Sequence, residues 1–66
     1  MSVAKTIEIS ASSKKSFEDA VKLGVAKAAE TLANITGAWV MDQDAVVSKG
    51  KVTEFRVRMK LTFVLK

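Results

Sequence analysis

Trp39, Arg56, Arg58 and Lys60 are the residues through which this chain could engage a small molecule. The single Trp offers a flat, polarisable ring, and an arginine beside it both stacks and donates hydrogen bonds, a platform suited to a planar anionic ligand. Packing of Trp39 into a subunit interface is an equally good reading of the residue type alone. Arg56, Arg58 and Lys60 alternate, so on a strand they share one face. Such a face suits phosphate, but long cations there are more often solvated or paired across the sheet, here with Glu8 and Glu54. Only one aromatic accompanies them, short of the two or three that stack bases on an RNA-reading sheet, so nucleic acid is not an expected partner. Asp42-Gln43-Asp44 sets two carboxylates on one side of a strand, oxygen ligands of the kind calcium prefers. No loop of further ligands follows, and a solvated strand end is the plainer reading. Catalysis has little to draw on. The chain has no His and no Cys, and it lacks a Gly-rich phosphate loop. Its carboxylates are scattered or fall in expected caps and turns. The inventory points to a non-catalytic protein.

The elements that must position these residues follow from hydrophobic period. Val3 to Ser10 alternates, with Val3, Lys5, Ile7 and Ile9 on one face and Ala4, Thr6, Glu8 and Ser10 on the other, the pattern of a half-buried strand. Ala11 to Ser16 reads as a polar loop, with Ser16 as helix cap and Asp19 three residues on in a loose capping box. A helix beginning at Phe17 carries the stripe Phe17, Ala20, Val21, Gly24 or Val25, Ala28 and Leu32, and is expected to end near Ala33 or Asn34. Gly24 costs about 1 kcal/mol of helix propensity relative to Ala, which argues for a close approach there. Thr36 to Val47 reads as a second strand, with Gly37, Trp39 and Met41 on one face, Ala38, Val40 and Asp42 on the other, and a bulge within Gln43 to Val46. Ser48-Lys49-Gly50-Lys51 is a hairpin turn. Val52 to Lys66 is the clearest strand: Phe55, Val57, Met59, Leu61, Phe63 and Leu65 alternate with Glu54, Arg56, Arg58, Lys60, Thr62 and Val64. A one-residue slip would invert every position, so register is strongly set. The expected fold class is α+β, a β-α-β-β subunit with a three-stranded antiparallel sheet packed on one helix. Residues 1–66 form a single domain.

Sixty-six residues with 48% hydrophobic content and a formal charge of +4 bound the stability problem. A core this small is marginal, since ordering entropy and burial nearly cancel in such scaffolds. Disulfides and a tetrahedral zinc site require residues the chain lacks. Self-association is the remaining supplement. No signal pattern opens the sequence, and no apolar run approaches the roughly 18 residues needed to span a bilayer. The expectation is a cytoplasmic protein with no membrane partner.

Several segments together carry a resemblance. Ser16-Phe17-Glu18-Asp19-Ala20 opens the helix, and Ala28-Ala29-Glu30-Thr31-Leu32 with Asn34-Ile35 closes it. Asp42-Gln43 follows, then Gly50-Lys51-Val52-Thr53-Glu54-Phe55-Arg56-Val57 and Leu61-Thr62-Phe63. In order, spacing and total length the chain resembles the dodecins, small flavin-binding proteins, over nearly its whole length. The resemblance implies a sheet that wraps partly around the helix and a homododecamer of tetrahedral symmetry, which stores or sequesters flavin (riboflavin, FMN or FAD) between subunits without turnover. It implies a stacking Trp three residues after the Asn that follows the helix, where this chain has Gly37, with Trp39 two residues later. It implies a Gln on the last strand where this chain has Arg56. The cofactor-binding residues expected here are Trp39, Arg56, Gln43 and Arg58. The rival implication is a dodecin-like shell that has lost flavin and holds other small ligands or ions, and Gly37 favours it.

Overall fold

The structure is a computed structural model and describes residues 3–65. The elements run β1 (Val3–Ser13), α1 (Phe17–Ala29), β2 (Ile35–Ser48) and β3 (Lys51–Leu65). The sheet is antiparallel in the order β1-β3-β2, with β3 in the centre. The expected β-α-β-β order and antiparallel sheet are both present. The end of the last strand at Lys66 lies outside the described residues.

Two boundaries differ from the sequence reading by more than one residue. β1 runs three residues further, because Ala11, Ser12 and Ser13 pair with Val57, Arg56 and Phe55 instead of forming a loop. Ser13, only 6% exposed, closes the strand with a small polar knot. Its Oγ donates to Asp19 Oδ2 at 2.6 Å and accepts from the Lys15 backbone N–H at 2.9 Å. Ser16 caps α1 as expected, accepting from the Asp19 N–H at 2.9 Å. The Asp19 carboxylate, expected to complete the capping box, is instead engaged by Ser13. The helix ends earlier than expected, at Ala29 with Glu30 as cap. Asn34 takes the left-handed conformation (φ 63°) five residues later, where the chain turns into β2 and the Asn34 carbonyl accepts from Val64 N at 3.0 Å.

The helix lies on β1 and β3. Ala20, Val57, Met59 and Leu61 are buried, with Ile7, Ile9, Ala11, Phe17, Val21, Val25, Ala28 and Ile35 packed around them. Phe17 meets Phe55 edge-on, ring centroids 5.1 Å apart. Gly24 is where the backbones come closest. A Cβ there would lie 2.5 Å from Met59 Cε and 2.9 Å from Ala11 Cβ, so the helix can approach the sheet this closely only without a side chain. At the opposite end, Lys49 (φ 53°) and Gly50 (φ 76°) form a two-residue hairpin turn. Positive φ at both central residues matches the strand twist.

β2 breaks the two-residue period more than its sequence suggests. Register shifts fall between Ile35 and Gly37 and between Val40 and Asp42, where β2 carries the extra residue, and at Val46/Val47, where β3 carries it at Thr53. The bulge expected within Gln43–Val46 is absent, since these residues pair continuously with Val57 to Glu54 and the last shift inserts Thr53 of β3; the shift at Met41 has the larger consequence. β2 also lies largely beyond the helix, so Ala38 and Val40, opposite Leu61 and Met59, remain exposed. The subunit is drawn out, 51 × 20 × 13 Å. Its accessible surface of 4854 Å² exceeds the roughly 4,100 Å² of a compact monomer of this mass. Among the described residues no helix is long and apolar enough to cross a membrane.

Candidate functional site

The sheet face turned away from the helix is built row by row from strand pairing. Glu8, Lys60 and Trp39 form one row across β1, β3 and β2; Ser10, Arg58 and Asp42 form the next; Ser12, Arg56 and Asp44 form a third. Trp39 and Asp42 differ in parity, and a regular strand would send them to opposite faces. The residue inserted at Met41 shifts the phase, so Asp42 joins Trp39 instead of opposing it. The sequence reading placed these two apart; this is its main error at the site. The available signal was the apolar run Ala38-Trp39-Val40-Met41, which departs from strict alternation without marking which residue is inserted.

The rows fix the electrostatics. Arg56 grips Asp44 in a two-pronged pair, Nε to Oδ1 at 2.9 Å and Nη2 to Oδ2 at 2.5 Å. Arg58 holds Asp42 likewise, at 3.1 and 2.6 Å. The guanidinium fork matches a carboxylate in this geometry. The cross-strand partners expected for these arginines, Glu54 and Glu8, are therefore replaced by Asp44 and Asp42. The hydrogen bond from each arginine holds the facing aspartate below its ordinary value of 3.8, and in return the aspartates raise both arginines. Lys60 is in no carboxylate pair among the described residues, and its Nζ lies 5.5 Å from the Trp39 ring centroid. Trp39 itself is 66% exposed.

Beside this platform is an open depression of about 580 Å³, bordered by Ser10, Ser12, Asp42, Asp44, Arg56 and Arg58. Of the four residues expected to hold a cofactor, Arg56 and Arg58 border it and Trp39 stands one row beyond. Gln43 also touches it, but pairs with Val57, whose side chain is in the core. Gln43 thus alternates onto the helix side of the sheet, away from Trp39. Gly37 lies opposite Thr62, on the Trp39 side, and a Cβ built there would meet nothing within 4 Å. Among the described residues no three acidic, His or Cys side chains come together as a metal site.

A family model described as Dodecin matches residues 3–66. The chain belongs to the dodecin family. It is 37% identical over 67 residues to the calcium dodecin of Mycobacterium tuberculosis, covering 100% of this chain and 93% of that protein. The crystal structure of that calcium dodecin, described as having a novel calcium-binding site, superposes with a TM-score of 0.84 at 31% identity, covering 97% of this chain and 91% of that one. The dodecin of Streptomyces coelicolor superposes with a TM-score of 0.94 at 25% identity, covering 98% and 93%. The membership and the β-α-β-β fold expected from sequence are thereby established.

The site accommodates the two ligand chemistries differently. A planar ring can lie against an exposed Trp39 with open space beside it at Gly37. A calcium ion at Asp42 and Asp44 would have to compete with a guanidinium for both oxygens of each carboxylate. Calcium takes six to eight oxygen ligands, and within one chain this face offers two carboxylates already engaged.

Proposed function

We propose that this dodecin is a non-catalytic, homododecameric cytoplasmic protein that sequesters flavin between subunits, the ring resting on Trp39 and the polar groups of the flavin meeting Arg56 and Arg58, while Gln43, on the helix side of the sheet, takes no part. The observation that carries the reading is the exposed Trp39, in register with Lys60 and one row from the bordered depression. A Trp two-thirds exposed on a rigid strand is poorly explained by monomer packing and well explained by a ring or a neighbouring subunit against it.

Assembly is supported by the surface the subunit leaves uncovered. A second groove of about 600 Å³ runs between α1 and β1, lined by Ile7, Ile9, Leu23, Ala28 and Leu32. Val47 and Val52 face each other, exposed, near the hairpin tip. These apolar surfaces are what a core of this size would add by self-association. A small molecule is favoured over nucleic acid by the carboxylates interleaved with the cations of the open face.

The test is size-exclusion chromatography with light scattering on protein from riboflavin-fed cells, followed by flavin titration. Twelve-subunit mass with co-eluting flavin absorbance, and quenching reduced in Trp39→Ala, are expected. A monomer, or quenching undiminished in the variant, contradicts the reading. The second reading, an assembled shell without flavin, is favoured by Gly37 at the stacking position. Colourless protein of twelve-subunit mass that quenches no flavin would establish it.

A further inference from the structure

The open face that suits a planar ring is not a phosphate site. Among the described residues its cations are Arg56, Arg58 and Lys60 and its carboxylates are Glu8, Asp42, Asp44 and Glu54, each placed on that face by register. Four carboxylates against three cations leave the face slightly negative, although the whole chain carries +4. Both guanidiniums bordering the depression are already committed, Arg56 to Asp44 and Arg58 to Asp42. A phosphate entering there would meet two carboxylates with about its own sign of charge, or displace them from their forks. An uncharged polyol meets a different surface. The Ser10 and Ser12 rows supply hydroxyls, the carboxylates accept, and the guanidinium N–H groups outside each fork donate. The Arg58 row lies about 7 Å along β3 from the Trp39 row, within reach of a short chain attached to a ring on Trp39.

We infer that Asp42 and Asp44 are specificity residues that make this site select a planar ring with an uncharged hydroxylated tail, riboflavin, over its phosphorylated form, FMN. The inference rests on the flavin reading of the same face and adds which flavin is held and why. It reverses the role that the cations suggest in sequence: without the register shift at Met41, Asp42 would oppose Trp39 and Arg58 would be free for phosphate.

The experiment is a parallel titration of the assembled protein with riboflavin and with FMN, read by quenching of flavin fluorescence, and repeated in Asp42→Asn/Asp44→Asn. The wild-type protein binds riboflavin more tightly than FMN. The double variant frees both guanidiniums and shifts the FMN-to-riboflavin affinity ratio roughly fivefold or more toward FMN, an advantage that rising salt removes. Wild-type protein that binds FMN as tightly as riboflavin or more tightly, or a ratio unchanged in the double variant, overturns the selectivity while leaving the flavin site intact. Quenching of neither flavin by the wild-type assembly overturns both together. Melting temperature and light-scattering mass, recorded for each protein, separate loss of ligand from loss of assembly.

Discussion

The two faces of β3 are made by the same fifteen residues and obey different rules. On one, Val57, Met59 and Leu61 are at most 1% exposed and are held by volume: the helix arrives close enough that Gly24 has no space for a methyl group. On the other, Arg56 and Arg58 are exposed and held by charge, each by a single aspartate. Packing fixes a face against every change of shape. Ion pairs in water fix orientation with little stability, which leaves that face free to vary its ligand while the fold persists.

Met59→Ala should break the comparison most severely. Deleting a fully buried side chain beside α1 should cost about 3 kcal/mol, read from urea midpoints at fixed protomer concentration, while Trp39→Ala on the opposite face should stay within about 0.5 kcal/mol per subunit if the assembly holds. A comparable loss for both would mean that the two faces are not distinct. Gly24→Ala should follow, at about 1 kcal/mol net, because overpacking against Ala11 and Met59 outweighs the gain in helix propensity. Gly37→Trp should leave the melting temperature nearly unchanged, since the position is open, and should tighten flavin binding; a loss of folding would show that the open face is packed after all.

The smallest effect is in acid. The Arg58 hydrogen bond holds Asp42 below 3.8, and Arg56 does the same for Asp44. A depressed folded value means that any stability these pairs give is fully present above the ordinary carboxylate range and is lost as pH falls through the folded values. Carbon-detected NMR titration should find both aspartates titrating below 3.8, with Asp42 returning toward it in Arg58→Gln and Asp44, which feels only the charge of Arg58, responding less.

Much of this was legible in sequence where a period repeats. β3 alternates without interruption from Glu54 to Leu65, and its buried face follows. The cap at Ser16 and the turn at Lys49-Gly50 rest on local chemistry that single residues announce. β2 was only partly legible, because its side-chain direction depends on residues inserted against a neighbouring strand, and pairing is a property of two segments. Trp39, Arg56 and Arg58 were recognised as one face from residue type. That Asp42 and Asp44 belong with them, and neutralise the arginines, needed the register. The end of α1 at Ala29 was missed because Ala33 and Asn34 continue a plausible helical composition past the point where the chain must turn back to the sheet.

The most direct test uses the chain's single Trp as its own reporter. Riboflavin titrated into the assembled protein should quench Trp39 emission and flavin emission together, with one saturating midpoint, as stacking requires. Saturable flavin quenching with Trp39 emission unaffected would place the ligand elsewhere and contradict the assignment of the open face; the absence of both signals would contradict flavin binding itself.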